Sequence, residues 1–312
     1  EVQLFNYQDL GLDLSKVHIL VGVKEGSDSI SLMERWSPIQ KKYPSANFHF
    51  EKDDKQRRYA PSIRPFLLKK FLEKNPKFED EYMYYHDSDI VHSELPAFAA
   101  MEDLRWHVSK ADYISWNYID EKKSPTLMKH MLNSVGIDEE TVKQKGQNVG
   151  GVQYYIYGTT PDFWQKIEQD TERMWGGYHD KFQIISNEFQ QAFGRPMTGD
   201  DFQVWCADMW CIYWTALLYG VDVYVNPELD FVWPKDKIKE LDKRKIYHDS
   251  GVGDSENQYF VKRQYRTKTP WGDDLSKLGW MDDGSASALM VDLNVLKEVL
   301  LIGLIKIIAI KN

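Results

Sequence analysis

The chain has 312 residues, 14% of them aromatic, and its 48 acidic side chains outnumber 39 basic ones to give a net charge of −9. That length allows one large α/β domain or two smaller ones, and the negative balance argues against a general nucleic-acid binder. Two cysteines, Cys206 and Cys211, supply neither a disulfide framework nor a zinc set.

No signal peptide is visible at the N-terminus, so a cytoplasmic location is expected. Residues 17–23 (VHILVGV) form a β-branched run bounded by the polar KEGSDS, which reads as a strand and a loop. Residues 31–42 read as a helix that stops before Pro44. NFHF is a second short strand running into Asp53–Asp54. Residues 65–74 form a second helix with Phe66, Leu67, Phe71 and Leu72 for its buried face. A third strand covers 82–85 and a fourth 111–119. This alternation predicts an α/β fold, a mixed and mainly parallel sheet flanked by helices, in one catalytic domain. Ligands bind such sheets at the carboxyl ends of the strands. Lys24–Glu25, Asp53–Asp54 and Asp87–Asp89 all fall just after strands.

The second half is richer in tryptophan. NVGGVQYYIYG is a glycine-broken loop entering a strand. Residues 161–175 form a helix, DDFQVWCADMWCIYWTALLYG another, VDVYVNP a strand, and KIYHDSGVG a late strand delivering His248 to a loop. The apolar run 299–310 is interrupted by Lys306 and is shorter than the roughly 20 residues that span a bilayer. A packed helix or strand is preferred for it over a membrane-surface anchor, and no other segment offers membrane contact.

Asp87-Ser88-Asp89 carries the most chemistry. Two carboxylates this close repel unless a cation or a shared proton relieves them. Mg²⁺ and Mn²⁺ accept carboxylate oxygens and commonly take further ligands from a bound phosphate, so the pair suits a metal–diphosphate site. The competing reading is a solvated turn. His248 is a possible third ligand or a surface histidine, and His86 and His92 read as packing residues. In DDKQRRYAPSIRP, Arg57, Arg58 and Arg64 offer guanidinium forks to a diphosphate, with Arg64 preferred between two prolines. Asp53 or Asp54 is placed to take a base or ribose hydroxyl. Asp208 reads as mid-helix among apolar neighbours and is the preferred catalytic base, with Asp201 behind it. Gly150–Gly151 after Asn148 suits close backbone approach to a sugar or an ordinary turn. Trp175, Trp205, Trp210 and Trp233 are stacking candidates, each with a core reading.

YYHDSDIV resembles the DxD motif of GT-A-fold glycosyltransferases, which use nucleotide sugars. The resemblance implies metal binding by Asp89, ribose or water-bridged metal contact by Asp87, and a nucleotide role for Ser88. VHILVGVKEG resembles the first nucleotide-binding strand and loop, implicating Val21, Val23, Lys24 and Glu25. NVGGVQYYIYG resembles the segment lining donor sugar and acceptor, implicating Asn148, Gly150 and Gly151, with Trp210 beside them. IYHDSG resembles the late loop whose histidine completes the metal site, here His248. The likeness covers roughly residues 15–262 and implies a Rossmann-like catalytic domain over 1–264. Its nucleotide-sugar half is about 15–115, its acceptor half about 116–264, and 265–312 is a tail. Mn²⁺ or Mg²⁺ is the expected cofactor, and a nucleotide-diphosphate sugar and a glycan, lipid or protein acceptor are the expected substrates. Two other readings stand. One is a haloacid-dehalogenase-like phosphatase with Asp87 as nucleophile, Asp89 as acid and TGDD (198–201) as its late acidic motif. The other is a non-catalytic carbohydrate-binding module.

Overall fold

A computed structural model of the protein describes residues 2–24, 29–250 and 305–310. Its strands in chain order are β1 (Val17–Lys24), β2 (Asn47–Asp53), β3 (Met83–His86), β4 (Ile90–His92), β5 (Trp106–Lys110), β6 (Gly150–Ile156), β7 (Val223–Val225), β8 (Phe231–Val232), β9 (Ile246–His248) and β10 (Ile305–Ile310). The helices are α1 (Val2–Asp9), α2 (Ser29–Lys42), α3 (Ile63–Lys74), α4 (Trp116–Asp120), α5 (Pro125–Val135), α6 (Glu139–Lys145), α7 (Pro161–Phe193) and α8 (Ala207–Leu218).

The fold is mixed α/β. A seven-stranded sheet runs β2-β1-β10-β3-β6-β5-β7, and a three-stranded sheet runs β4-β9-β8. In the larger sheet five strands share one direction, while β10 and β6 run against them. Both reversed strands lie inside the sheet. Hydrogen-bonded neighbours are therefore mostly antiparallel, which corrects the expectation of a mainly parallel sheet. Part of the C-terminal apolar run, Ile305–Ile310, enters this sheet as a strand.

Both faces of the sheet are covered. Val17, Ile19 and Val21 of β1 pack with Leu4 and Tyr7 of α1 and Trp36 of α2, while Leu20 joins the larger core with Phe66, Leu67 and Phe71 of α3. The alternation along one strand follows from side chains pointing to opposite faces. Because β1, β2 and β3 run the same way, Lys24, Asp53 and the Asp87–Asp89 turn all arrive at one edge.

The segment 111–119 is not a strand. Asp112–Ile114 is a 3-10 turn, and Ser115 caps α4 by accepting from the Tyr118 amide at 3.2 Å. Aromatic and β-branched residues suit strands, but here the serine cap decides. The strand of this region is β5, immediately before it.

Three histidines, the buried His92 and the half-buried His18 and His49, make stability depend on pH. His18 Nδ1 and His49 Nε2 lie 2.9 Å apart, stacked and packed on Phe71. Burial, the facing His49 and Lys77 pull His18 down from 6.5 to about 3. Burial also lowers His49, and lowers the enclosed His92 well below its ordinary value. The unfolded chain binds protons at these sites near pH 6.5, whereas the folded chain resists them. The stability is fully present above that pH and is lost on acidification, with solvent screening reducing the share of His49. Urea midpoints at pH 7.5 and pH 5 test this: the midpoint is expected to fall, and equal midpoints would exclude the effect.

Candidate metal centre

Asp87 follows β3 directly, and Asp89 leads into β4. The short β4 pairs antiparallel with β9 so that Ile90 stands opposite His248, and the Asp249 amide donates to the Asp89 carbonyl at 2.9 Å. This pairing brings a residue 159 positions beyond Asp89 to its side. One ligand atom from each of Asp87, Asp89 and His248 lies within 4.8 Å of the other two. His248 Nε2 is 3.3 Å from Asp89 Oδ1 and 3.8 Å from Asp87 Oδ2.

The set fits a hard divalent ion. Adjacent octahedral ligands at the roughly 2.1 Å expected for Mg²⁺ stand about 3.0 Å apart. The His248–Asp89 spacing is close to that, and a small turn of Asp87 closes the rest. Two carboxylates and an imidazole are donors that Mg²⁺ or Mn²⁺ can accept, the imidazole suiting the transition metal better.

The turn is held from behind by α1, an element without a sequence reading. Gln3 Nε2 donates to the Asp87 carbonyl at 2.9 Å, and Asn6 exchanges two 2.8 Å hydrogen bonds with the His92 backbone. His86 Nδ1–H donates to the same Asp87 carbonyl at 2.7 Å, so its Nε2 accepts from the Tyr7 hydroxyl at 2.6 Å. Gln3 and Asn6 are polar residues on a turn otherwise buried through Leu4 and Tyr7. That local contrast was the available signal.

Arg64, in the first turn of α3, links the acids to α8. Its Nη1 lies 3.3 Å from Asp87 Oδ1 and 3.0 Å from Asp208 Oδ2. Burial disfavours its charge, but Asp87 and Asp208 more than offset this and raise its pKa well above the ordinary value. Its Nε is buried without a hydrogen-bond partner among the described residues, leaving a donor beside the acids. The Tyr59 hydroxyl contacts Asp208 Oδ1 at 2.9 Å and also bonds the Trp205 carbonyl. The reading of Asp208 as mid-helix is corrected. α8 begins at Ala207, so Asp208 stands in its first turn, where the helix dipole favours an anion. Its carboxylate is buried and ion-paired rather than isolated in apolar company.

Other predicted residues go elsewhere. Asp201 is held by Arg195 at 2.6 Å and 2.8 Å and accepts from Thr198; these contacts keep it well below the usual carboxylate range and make it a poor base. Both oxygens of Asp53 accept from Arg57, at 2.7 Å and 2.9 Å, and Arg57 continues to Glu168 of α7. Asp53 therefore pins β2 to α7 and is committed before any ribose hydroxyl arrives. Arg58 turns to Asp180 on α7 at 2.8 Å, away from the acids. Val21 is core, Val23 is half-buried, and Lys24, Ser88 and Asn148 are exposed; Glu25 lies outside the described residues.

Gly150 and Gly151 serve chain packing. A Cβ at Gly150 would stand 2.1 Å from Val108 Cγ2, and one at Gly151 would stand 2.7 Å from the Tyr154 hydroxyl. They begin a bulge of β6 against β5 in which Val152 takes φ +77°, costly for a β-branched residue. The Ser109 hydroxyl bonds the Gly151 carbonyl and accepts from the Gln153 amide at 3.2 Å. Trp210 is fully buried between Phe202 and Trp214 and has no face for a sugar. Trp233, by contrast, stacks on His248 with centroids 5.7 Å apart, and Trp205 beside Asp208 is 57% exposed.

No protein-family model, curated protein or solved structure matches the chain. The fold and the site thus define a mixed α/β protein with an Asp-Asp-His cluster able to hold a divalent cation at a sheet edge. Among the described residues no helix is long and apolar enough to cross a membrane.

Proposed function

We propose that the protein is a metal-dependent glycosyltransferase of GT-A-like fold that moves a sugar from a nucleotide-diphosphate sugar to an acceptor. The observation that carries this reading is the convergence of Asp87, Asp89 and His248 within 4.8 Å, with Arg64 3.3 Å from Asp87. Asp87, Asp89 and His248 would hold a divalent ion there, and such an ion would offset the acids and supply charge stabilisation to a departing diphosphate. Arg64 supplies a further cationic donor for the same oxygens. Asp208, sharing that arginine, is the base for the acceptor hydroxyl. Trp205 and Trp233 offer the ring faces that Trp210 does not.

The phosphatase reading is less well supported. It needs late acids beside Asp87, and Asp201 of the TGDD segment is engaged with Arg195 and Thr198. Calorimetry with UDP, GDP and a simple phosphate ester, with and without Mn²⁺, separates the readings. Nucleoside-diphosphate binding that needs Mn²⁺ is the expected result. Ester turnover with no nucleotide binding points to the phosphatase, and sugar binding indifferent to metal points to a binding module.

A further inference from the structure

A cleft of about 640 Å³ lies between α5 and α7, with Arg58 at one side. α7 runs 33 residues and carries Gly176–Gly177 near its middle, two residues that weaken a helix interior. Their absent side chains have a use. A Cβ at Gly176 would stand 2.8 Å from Arg58 Nη1, and one at Gly177 would stand 2.3 Å from His130 Cε1. The glycines let a guanidinium and an imidazole lie directly on the helix backbone and line the cleft. His130 Nε2–H donates to the Met174 carbonyl at 2.8 Å, and burial lowers its pKa, so the ring is neutral and its other nitrogen is an acceptor.

The charge of the cleft opposes that of the chain. Its acids are already engaged: Glu172 accepts from the Arg58 and Tyr59 amides and from Ser62, and Asp180 pairs with Arg58. Lys129 on α5 and Lys181 on α7 also line it, and neither has a carboxylate within ion-pair distance among the described residues. Two cations that make no ion pair among the described residues thus line a polar cleft, from opposite helices, in a protein of net charge −9.

We infer that the cleft between α5 and α7 binds an anionic carbohydrate, with Lys129 and Lys181 taking its acidic groups. The carbohydrate character rests on the transferase reading, while the anionic character rests on the charges alone. The bound segment would be an acidic stretch of the acceptor, held outside the metal centre. Tyr59 follows Arg58 directly and reaches Asp208 at 2.9 Å, so the two regions are joined through one loop.

The test is calorimetry on the full chain, without nucleotide or metal, using trigalacturonate, neutral maltotriose and inorganic phosphate. Trigalacturonate is expected to bind, and the Lys129→Gln/Lys181→Gln double variant to weaken it about tenfold. Raising the salt concentration should weaken it as well. Both lysines are exposed, so the variant should fold. Phosphate binding that the double variant also loses supports the anion site and assigns the charge to a phosphorylated ligand. Maltotriose binding as tight as trigalacturonate, undiminished binding in the double variant, or no binding of either anion overturns the inference. Asp89→Ala should leave trigalacturonate binding unchanged, so failure of the transferase reading and failure of this one are distinguishable.

Discussion

Asp89→Ala is expected to lower Mn²⁺ affinity at least 100-fold and to abolish metal-dependent UDP or GDP binding with it. Asp89 supplies the ligand atom nearest His248 Nε2, at 3.3 Å, and its carbonyl carries the β4–β9 contact through the Asp249 amide. The substitution removes the carboxylate but keeps that backbone bond. Disturbing the groups that merely orient metal ligands commonly costs 10–100-fold in affinity, so loss of a ligand itself should exceed that range. The variant should stay folded, because Asp89 is partly exposed and its loss relieves repulsion with Asp87. Mn²⁺ titration alongside thermal unfolding measures both quantities. Unchanged Mn²⁺ affinity in a folded variant removes Asp89 from the centre.

How far the sequence reached depends on whether a signal is local. The strand ends at Lys24, Asp53 and Asp87 were legible because an apolar run stopping at polar residues is visible in a few adjacent positions. That they share an edge followed from strand–helix alternation. The direction of β6 was not legible, since nothing within a strand states which neighbour it pairs with. The arginines show the same limit. Arg57, Arg58 and Arg64 occupy one charged stretch, yet they go to Asp53, Asp180 and the Asp87–Asp208 pair respectively. Asp53 is four residues from Arg57, but Glu168 and Asp180 of α7 and Asp208 of α8, which complete these contacts, lie more than a hundred residues away. Gly150–Gly151 was read as a place for a sugar to approach the backbone or as an ordinary turn, and the groups that stand close there are Val108 and Tyr154 of the protein itself. For Trp210 and Trp205 composition is identical, and only burial separates a core ring from a surface one.

Asp208→Asn decides between two roles that the geometry joins. Asp208 is the partner of Arg64 at 3.0 Å and, on the transferase reading, the base for the acceptor. If it acts only as a partner, losing its charge leaves the Arg64 guanidinium paired with Asp87 alone. The cost then appears as stability, within the roughly 3–5 kcal/mol that breaking a buried pair can take, and as a modest weakening of nucleotide binding. If it acts as the base, the amide cannot take a proton, and kcat is expected to fall by about 10²–10⁴ while the nucleotide-sugar KM moves little. Asparagine keeps the shape of the side chain and can still meet the Tyr59 hydroxyl, so the local structure is conserved. A Tyr59→Phe variant supplies the control. It removes the hydroxyl next to Asp208 without removing the carboxylate, and its effect on kcat should be far smaller. Steady-state kinetics on both variants, corrected for the folded fraction from urea unfolding, give the answer. A kcat within a few-fold of the unmodified protein in Asp208→Asn leaves Asp208 as the structural counter-ion of Arg64 and sends the search for the base elsewhere along the sheet edge.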